Sequence, residues 1–307
     1  MKSTSRLAFL SLAALLALAC GGERRSSTGT TGSAGGNRPI SVKGSDTMVI
    51  MTQRLAEEYM KAKPGTVVQV NGGGSGTGLA AMINGTTDLA QSSRPMKDSE
   101  REKIEQGRGA KVVETPIALD ALGVFVHESN PVKELTVSQV RDIYMGVVKN
   151  WSEVGDGSSP IILYGRESSS GTYDYFKEHV LEKKDFAPAV QTLQGTAAIM
   201  NAVAQDPNAI GYGGIAYAKG VKALPLRAEG ASAAIAPTEA TVADGSYPLS
   251  RSLFFYSTDN SPAGVKEFVD WCLTPEAQAL VTRVGYFPIR NTAASPAVTT
   301  TDVQSTP

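Results

Sequence analysis

From Pro39 to about Arg290 the chain alternates short runs rich in Val, Ile and Leu with stretches whose apolar residues recur at helical spacing. Such alternation restricts it to an α/β fold, with helices crossing over between parallel strands. ISVKG reads as a strand, followed by a helix near 47–62, the strand VVQVN, a helix near 77–84 and the strand DLAQSS. Further along, IALDALGVFVHES reads as a buried strand, VSQVRDIYMG as a helix, IILYGR as a strand and TYDYFKEHVLEK as a helix with Tyr173, Phe176 and Val180 on one face. AIGYGGIAY and RSLFFYST add two strands. Thr274, Pro275 and Glu276 supply the capping chemistry of a last helix that stops near Gly285. At 307 residues the chain exceeds what one core usually serves, so two lobes are expected.

The first forty residues are of another kind. Lys2 and Arg6 precede an apolar run from Leu7 to Ala19, which is the layout of a secretory signal and is too short to span a bilayer. Cys20 follows directly, in a context that resembles the lipobox of bacterial lipoproteins, so residues 1–19 are expected to be removed and Cys20 acylated. Residues 20–38 read as a Gly/Ser/Thr-rich tether and residues 291–307 as a disordered tail. Cys272 is the one other cysteine, set among Phe268, Val269, Trp271 and Leu273, and reads as a buried apolar residue outside any disulfide framework. A net charge of −1 gives no sign of a nucleic-acid partner, and any anion site must be local.

Three turns place small or hydroxyl residues where a strand hands over to a helix: Gly44-Ser45-Asp46-Thr47-Met48, the run Gly72 to Gly78, and Arg166 to Thr172. A helix start offers unpaired N–H groups and the positive end of its dipole, while glycine admits an anion to the backbone. Each turn alone could be no more than a capped helix start; three converging could wrap a tetrahedral oxyanion. Arg166, four residues before Ser170, adds a fork suited to an oxyanion. The glycine run fits neither GxGxxG, nor the Walker pattern, nor GxSxG. His127 and His179 lack a metal-binding neighbourhood and read as surface or satisfied histidines. Trp151, Tyr164, Tyr212 and Tyr217 read as core.

In order along the chain, GSDTM, NGGGSGTG, TDLAQSSR, NWSEVG, GRESSSGT, AIGYGGIAY, YPLSRSLFFY and GYFPIR resemble the phosphate-binding proteins of bacterial phosphate ABC transporters. That resemblance implies a two-lobed Venus-flytrap fold crossed twice by the chain, near 115–122 and 250–256. Lobe 1 would be residues 39–118 plus 253–290 and lobe 2 residues 119–252. It implies a phosphate site of Thr47, Met48, Ser75, Asp88, Arg166, Ser170, Gly171 and Thr172, with Met48 donating its N–H and Asp88 as the acceptor carboxylate. Asp46 puts a second carboxylate near the anion. Arg94 pairs with Asp46 or Asp88, or is a surface charge. An ionised carboxylate accepts but cannot donate, so it would welcome protonated phosphate and reject sulfate. The implied partners are inorganic phosphate, a permease and ATPase complex, and the membrane through the lipid anchor. The protein would be an exported monomer of the cell envelope, with no cofactor, metal or nucleic acid and no enzymatic activity. A receptor for another oxyanion or a phosphate sensor remains open. A phosphoester hydrolase would want a metal cluster or activated nucleophile, for which the sequence shows no residues.

Overall fold

The computed structural model describes residues 38–155 and 157–289. The signal, Cys20, the tether up to residue 37 and the tail from residue 290 lie outside the described residues.

In the first half, β1 (Ile40–Gly44) pairs in parallel with β2 (Val68–Asn71) and β3 (Leu89–Ser92). The connections are α1 (Val49–Ala62), entered through a 3-10 turn at Asp46–Met48, and α2 (Ser75–Ile83); α3 (Asp98–Arg108) follows β3. The chain then runs out along the 15-residue β4 (Val112–Val126). The second half holds β5 (Leu135–Thr136), α4 (Val137–Tyr144), β6 (Ile162–Arg166), α5 (Gly171–His179) and β7 (Gln191–Leu193). It continues through α6 (Thr196–Gln205), β8 (Ala209–Gly214), β9 (Lys222–Ala223), β10 (Leu226–Arg227) and α7 (Glu239–Ala243). Finally β11 (Ser250–Thr258) brings the chain back to α8 (Ala263–Cys272) and α9 (Pro275–Val284).

The strand order is β2-β1-β3-β11-β4-β8-β6-β7. The expectation of parallel sheets holds at the flanks, where β1 joins β2 and β3, and β6 joins β7 and β8. In the middle β11 runs antiparallel to β3 and β4, and β4 antiparallel to β8. The reason is connectivity: β4 carries the chain outward and β11 returns it, so the two must run in opposite directions. They pair from Ser250 against Ala121 to Thr258 against Val112, with a bulge between Leu253 and Phe254. Beyond Ala121 the β4 ladder passes to β8, Leu122 facing Gly214. The two strands thus form the double connection between the halves.

Each half buries its own apolar set. Val42, Met51, Leu55, Tyr59, Phe255 and Phe268 pack on one side of the first half and Leu79, Met82, Ile104 and Tyr256 on the other. In the second half Leu122, Val124 and Val126 join Tyr144, Phe176 and Tyr212, whereas Phe125 turns to Ile199 and Val203, as the two-residue period of a strand requires. Thr274 caps α9 by accepting from the Ala277 amide at 3.3 Å, and Gly285 closes the helix with φ 101°, as the sequence predicts. α5 is shorter than expected, because Glu182 and Lys183 take left-handed φ values of 51° and 68°, and Tyr175 rather than Tyr173 faces the core. Cys272 is free and fully buried, and burial pushes its thiol pKa up. Among the described residues no helix is long and apolar enough to cross a membrane.

Candidate functional site

Strand direction decides where the three turns go. β3 runs in the same sense as β4, toward the second half, whereas β8 and β6 run against β4, toward the first. The carboxyl ends of the two strand sets therefore meet between the halves, and in α/β sheets that end is where helix starts and ligands gather. The turn after β1, the turn before α2 and the turn before α5 all open there.

Four hydroxyls meet at this junction. Thr47 Oγ1 lies 2.9 Å from Thr172 Oγ1, Ser93 Oγ lies 3.4 Å from Ser75 Oγ and 3.5 Å from Thr172 Oγ1, and the Ser93 amide donates to Ser75 Oγ at 3.1 Å. All four residues are fully buried. Gly171 makes the approach possible, since a Cβ there would stand 2.3 Å from Ser75 Oγ and 2.9 Å from Ser93 Oγ. At Gly74, φ is 91° and a side chain would collide with the Ser169 carbonyl. Neither α1 nor α2 has a side-chain cap; the Val49 amide donates to the Asp46 carbonyl, and the Gly76 amide of α2 donates across the junction to the Ser169 carbonyl at 2.9 Å. α5 is different: Ser170 Oγ accepts from the Thr172 and Tyr173 amides at 3.1 and 3.3 Å, so Ser170 is a helix cap whose own O–H is left to donate.

Arg166, 2% exposed, is tied to the first of these turns through Asp46, the residue before Thr47. Its Nε and Nη2 donate to Glu167 at 2.9 and 2.8 Å, Nη2 also donates to Asp46 Oδ2 at 3.0 Å, and Nη1 donates to Thr196 Oγ1 at 2.8 Å. Of the five N–H groups of a guanidinium these contacts use four and leave one on Nη1. Asp46 therefore does not point its charge at the hydroxyls; its second oxygen accepts from the Gly73 amide at 2.9 Å. Tyr217 secures the same turn from the second half, its hydroxyl donating to the Asp46 carbonyl at 2.7 Å, and burial pushes its pKa up to about 12. Tyr286 donates to the Thr47 carbonyl, and Tyr212 accepts from the Arg166 amide at 3.3 Å. Among the described residues no group of three or more His, Cys, Asp or Glu is placed to hold a metal ion.

Three sequence expectations need correction. Asp88 is not in this cluster. It sits at the amino end of β3, where its carboxylate accepts from Arg38 at 2.7 Å and from the Ser41 amide at 2.9 Å. At roughly 3.3 Å per residue, the strand carries Ser93 on the order of 15 Å away. The Met48 amide, expected to donate outward, is taken by the Ser45 carbonyl at 3.1 Å, and the Met48 side chain is core. Arg94 is not a surface charge and touches neither Asp46 nor Asp88: it is 6% exposed, forks onto Glu100 at 2.8 and 2.7 Å, and reaches Asp174 of α5 at 2.8 Å. Burial alone would raise the Glu100 carboxyl, yet the Arg94 guanidinium, together with the Lys97 amide and ammonium, outweighs it and holds that pKa below the ordinary value. Ser93 and Thr196 are the residues the sequence reading passed over. Their signal was position, directly after β3 and at the start of α6.

Two halves joined by paired strands and meeting over a buried hydroxyl and guanidinium cluster define a receptor of the two-lobed periplasmic-binding-protein class, and a model of the PBP superfamily domain matches residues 26–276. Within that class the chain belongs to the substrate-binding proteins of phosphate ABC transporters. It is 37% identical over 276 residues to the phosphate-binding protein PstS of Pseudomonas aeruginosa, covering 84% of this chain and 85% of that one. An ABC-type phosphate transport receptor of Vibrio cholerae superposes with a TM-score of 0.66 at 30% identity, over 81% of this chain and 100% of the other. A Clostridium perfringens protein, assigned as a phosphate ABC transporter substrate-binding protein and solved with phosphate bound, superposes with a TM-score of 0.74 at 29% identity, over 82% of this chain and all of that one.

Proposed function

We infer that this chain captures inorganic phosphate between its halves and hands it to an ABC importer. The observation that carries the reading is the meeting of the Thr47, Ser75, Ser93 and Thr172 hydroxyls at the carboxyl ends of both strand sets, with the buried Arg166 held to Asp46 of the same turn as Thr47. Such a donor-rich, water-poor junction suits a small oxyanion, because each donated bond to a charged acceptor is stronger than a neutral one. In this reading lobe 1 is residues 39–118 with 253–290, and lobe 2 is residues 119–252. Thr47, Ser75 and Thr172 donate hydroxyls, Ser170 donates its O–H while capping α5, Gly171 admits the anion to the helix start, and Arg166 offers its remaining Nη1 hydrogen. Calorimetric titration of the phosphate-stripped protein tests it: one saturable site for phosphate is expected, and a folded sample that takes up no phosphate ends the proposal.

Closure is held partly by Arg94, which belongs to the first half and grips Asp174 of the second. Arg94→Ala should weaken phosphate binding by about 5- to 30-fold, that is about 1–2 kcal/mol, because opening rehydrates the carboxylates and discounts the loss of the pair. A Kd equal to that of the wild type would remove Arg94 from the closing contacts.

The protein acts as an exported monomer tethered to the envelope by acylated Cys20, a reading supported by the basic start and apolar run before that cysteine. Cys20→Ser should abolish incorporation of labelled palmitate and shift the protein to the soluble fraction of its host. Undiminished labelling of the variant would exclude this anchor.

A further inference from the structure

Thr47 brings its hydroxyl to the junction from the 3-10 turn Asp46–Met48, and such turns hold their own shape poorly because their hydrogen bonds are badly aligned. The helix that follows has no side-chain cap to steady it. This turn is held from elsewhere in the chain, carbonyl by carbonyl. The Ser45 carbonyl accepts from the Met48 amide at 3.1 Å and from Gln91 Nε2 of β3 at 3.0 Å. The Asp46 carbonyl accepts from the Val49 amide and from the Tyr217 hydroxyl, and the Thr47 carbonyl accepts from the Tyr286 hydroxyl.

The two tyrosines arrive from opposite halves. Tyr217 ends a second 3-10 turn, Ile215–Tyr217, which leaves the last residue of β8. That residue is Gly214, where a Cβ would stand 2.9 Å from Thr47 Cγ2 and 3.1 Å from the carboxylate of Asp120, itself paired with Arg251 of β11 at 2.8 Å. Tyr286 follows Gly285 at the end of α9 and is buried in the core of the first half. Its neighbour Phe287 exchanges both backbone hydrogen bonds with Leu119 of β4 and packs on the core of the second half. The Tyr217 hydroxyl also meets the Ile50 amide of α1 and the Tyr286 hydroxyl. Burial pushes both phenol pKa values up, Tyr217 to about 12, so each keeps its hydrogen for its carbonyl at neutral pH.

A buried tyrosine needs some partner for its hydroxyl, and Tyr247 finds one in the Leu122 carbonyl of a strand. Tyr217 and Tyr286 differ in converging on consecutive carbonyls of one turn. A peptide unit is planar, so fixing the Asp46 and Thr47 carbonyls fixes the Thr47 backbone on both sides. The branched side chain of Thr47 then has few rotamers left.

Resting on the phosphate reading above, we propose that Tyr217 and Tyr286 are positioning residues for phosphate capture: together they set the turn that aims the Thr47 hydroxyl at the anion and the Asp46 carboxylate at Arg166. Because each half contributes one tyrosine, the turn is fully aligned when the halves are together. The hydroxyl is thus ordered before the ligand uses it, which removes an entropic cost from binding.

The test is a pair of double-mutant cycles on the full chain, read as phosphate affinity by calorimetry with a melting curve for each variant. Tyr286→Phe and Tyr217→Phe should each weaken binding by roughly 5- to 10-fold, the net worth of about one hydrogen bond. Thr47→Val keeps the shape of the side chain and removes its hydroxyl. On that background Tyr286→Phe should cost less than about twofold, because nothing remains to be aimed, and Tyr217→Phe should lose at least half of its effect, the rest acting through Asp46. Tyrosines that serve stability alone would lower the melting temperature and leave the affinity unchanged, or weaken binding equally on both backgrounds; either result overturns the inference and leaves the functional reading standing. Thr47→Val binding phosphate as tightly as the wild type would overturn it too, by taking Thr47 out of the site. Wild-type protein that binds no phosphate would end the functional reading and the inference with it. Should Tyr286→Phe not fold, the cycle on the half-buried Tyr217 decides by the same criterion.

Discussion

Arg166→Ala weakens phosphate binding by about 30-fold to several thousandfold, or about 2–5 kcal/mol. Two effects add. The ligand loses the guanidinium hydrogen left free on Nη1, and the carboxylates of Asp46 and Glu167, now held by Arg166 at 3.0 and 2.8 Å, lose the cation between them. An anion approaching the variant meets two uncompensated negative charges in a poorly hydrated place. Lysine cannot restore the arrangement, because its single ammonium cannot fork onto Glu167 and reach Asp46 and Thr196 together. Titration calorimetry measures the change, with a melting curve to confirm the fold. A phosphate affinity within about threefold of the wild type would take Arg166 out of the site.

Gly171→Ala should lower phosphate affinity by about 5- to 150-fold, matching the 1–3 kcal/mol that an overpacked methyl group costs. The methyl would stand 2.3 Å from Ser75 Oγ, across the junction between the halves, and not against the core of either. The clash therefore exists in the closed arrangement and is relieved by opening, so the variant keeps its melting temperature in the absence of phosphate and loses the stabilisation that bound phosphate confers. A melting temperature that drops equally with and without phosphate would mean that the glycine serves folding and not closure. Alanine is also a better helix former than glycine at the start of α5, which works against a general loss of stability.

The alternation of strand and helix patterns was enough to place most elements, because apolar period and turn residues are local properties. Thr274 with Pro275, and Gly285, gave both ends of α9 for the same reason. Strand direction is not local. Nothing in the run RSLFFYST states that it lies antiparallel between β3 and β4, since that follows from where the chain must return. Direction also explains the error at Asp88. TDLAQSSR offers polar residues at both ends of one short strand, and only the carboxyl end, with Ser93 and Arg94, faces the junction. Asp120 had a readable signal that composition diluted: one carboxylate inside IALDALGVFV is costly to bury unless something pairs with it, and RSLFFYST carries the matching arginine. Arg94 looked like an ordinary surface cation because its partners, Glu100 and Asp174, lie on two different helices.

The most direct test is a crystal structure of the protein grown with phosphate. A single phosphate is expected between the halves, within hydrogen-bond distance of the Thr47, Ser75 and Thr172 hydroxyls and of Arg166. Phosphate bound elsewhere on the molecule, with this junction closed on itself as Thr47 and Thr172 are at 2.9 Å, would contradict it.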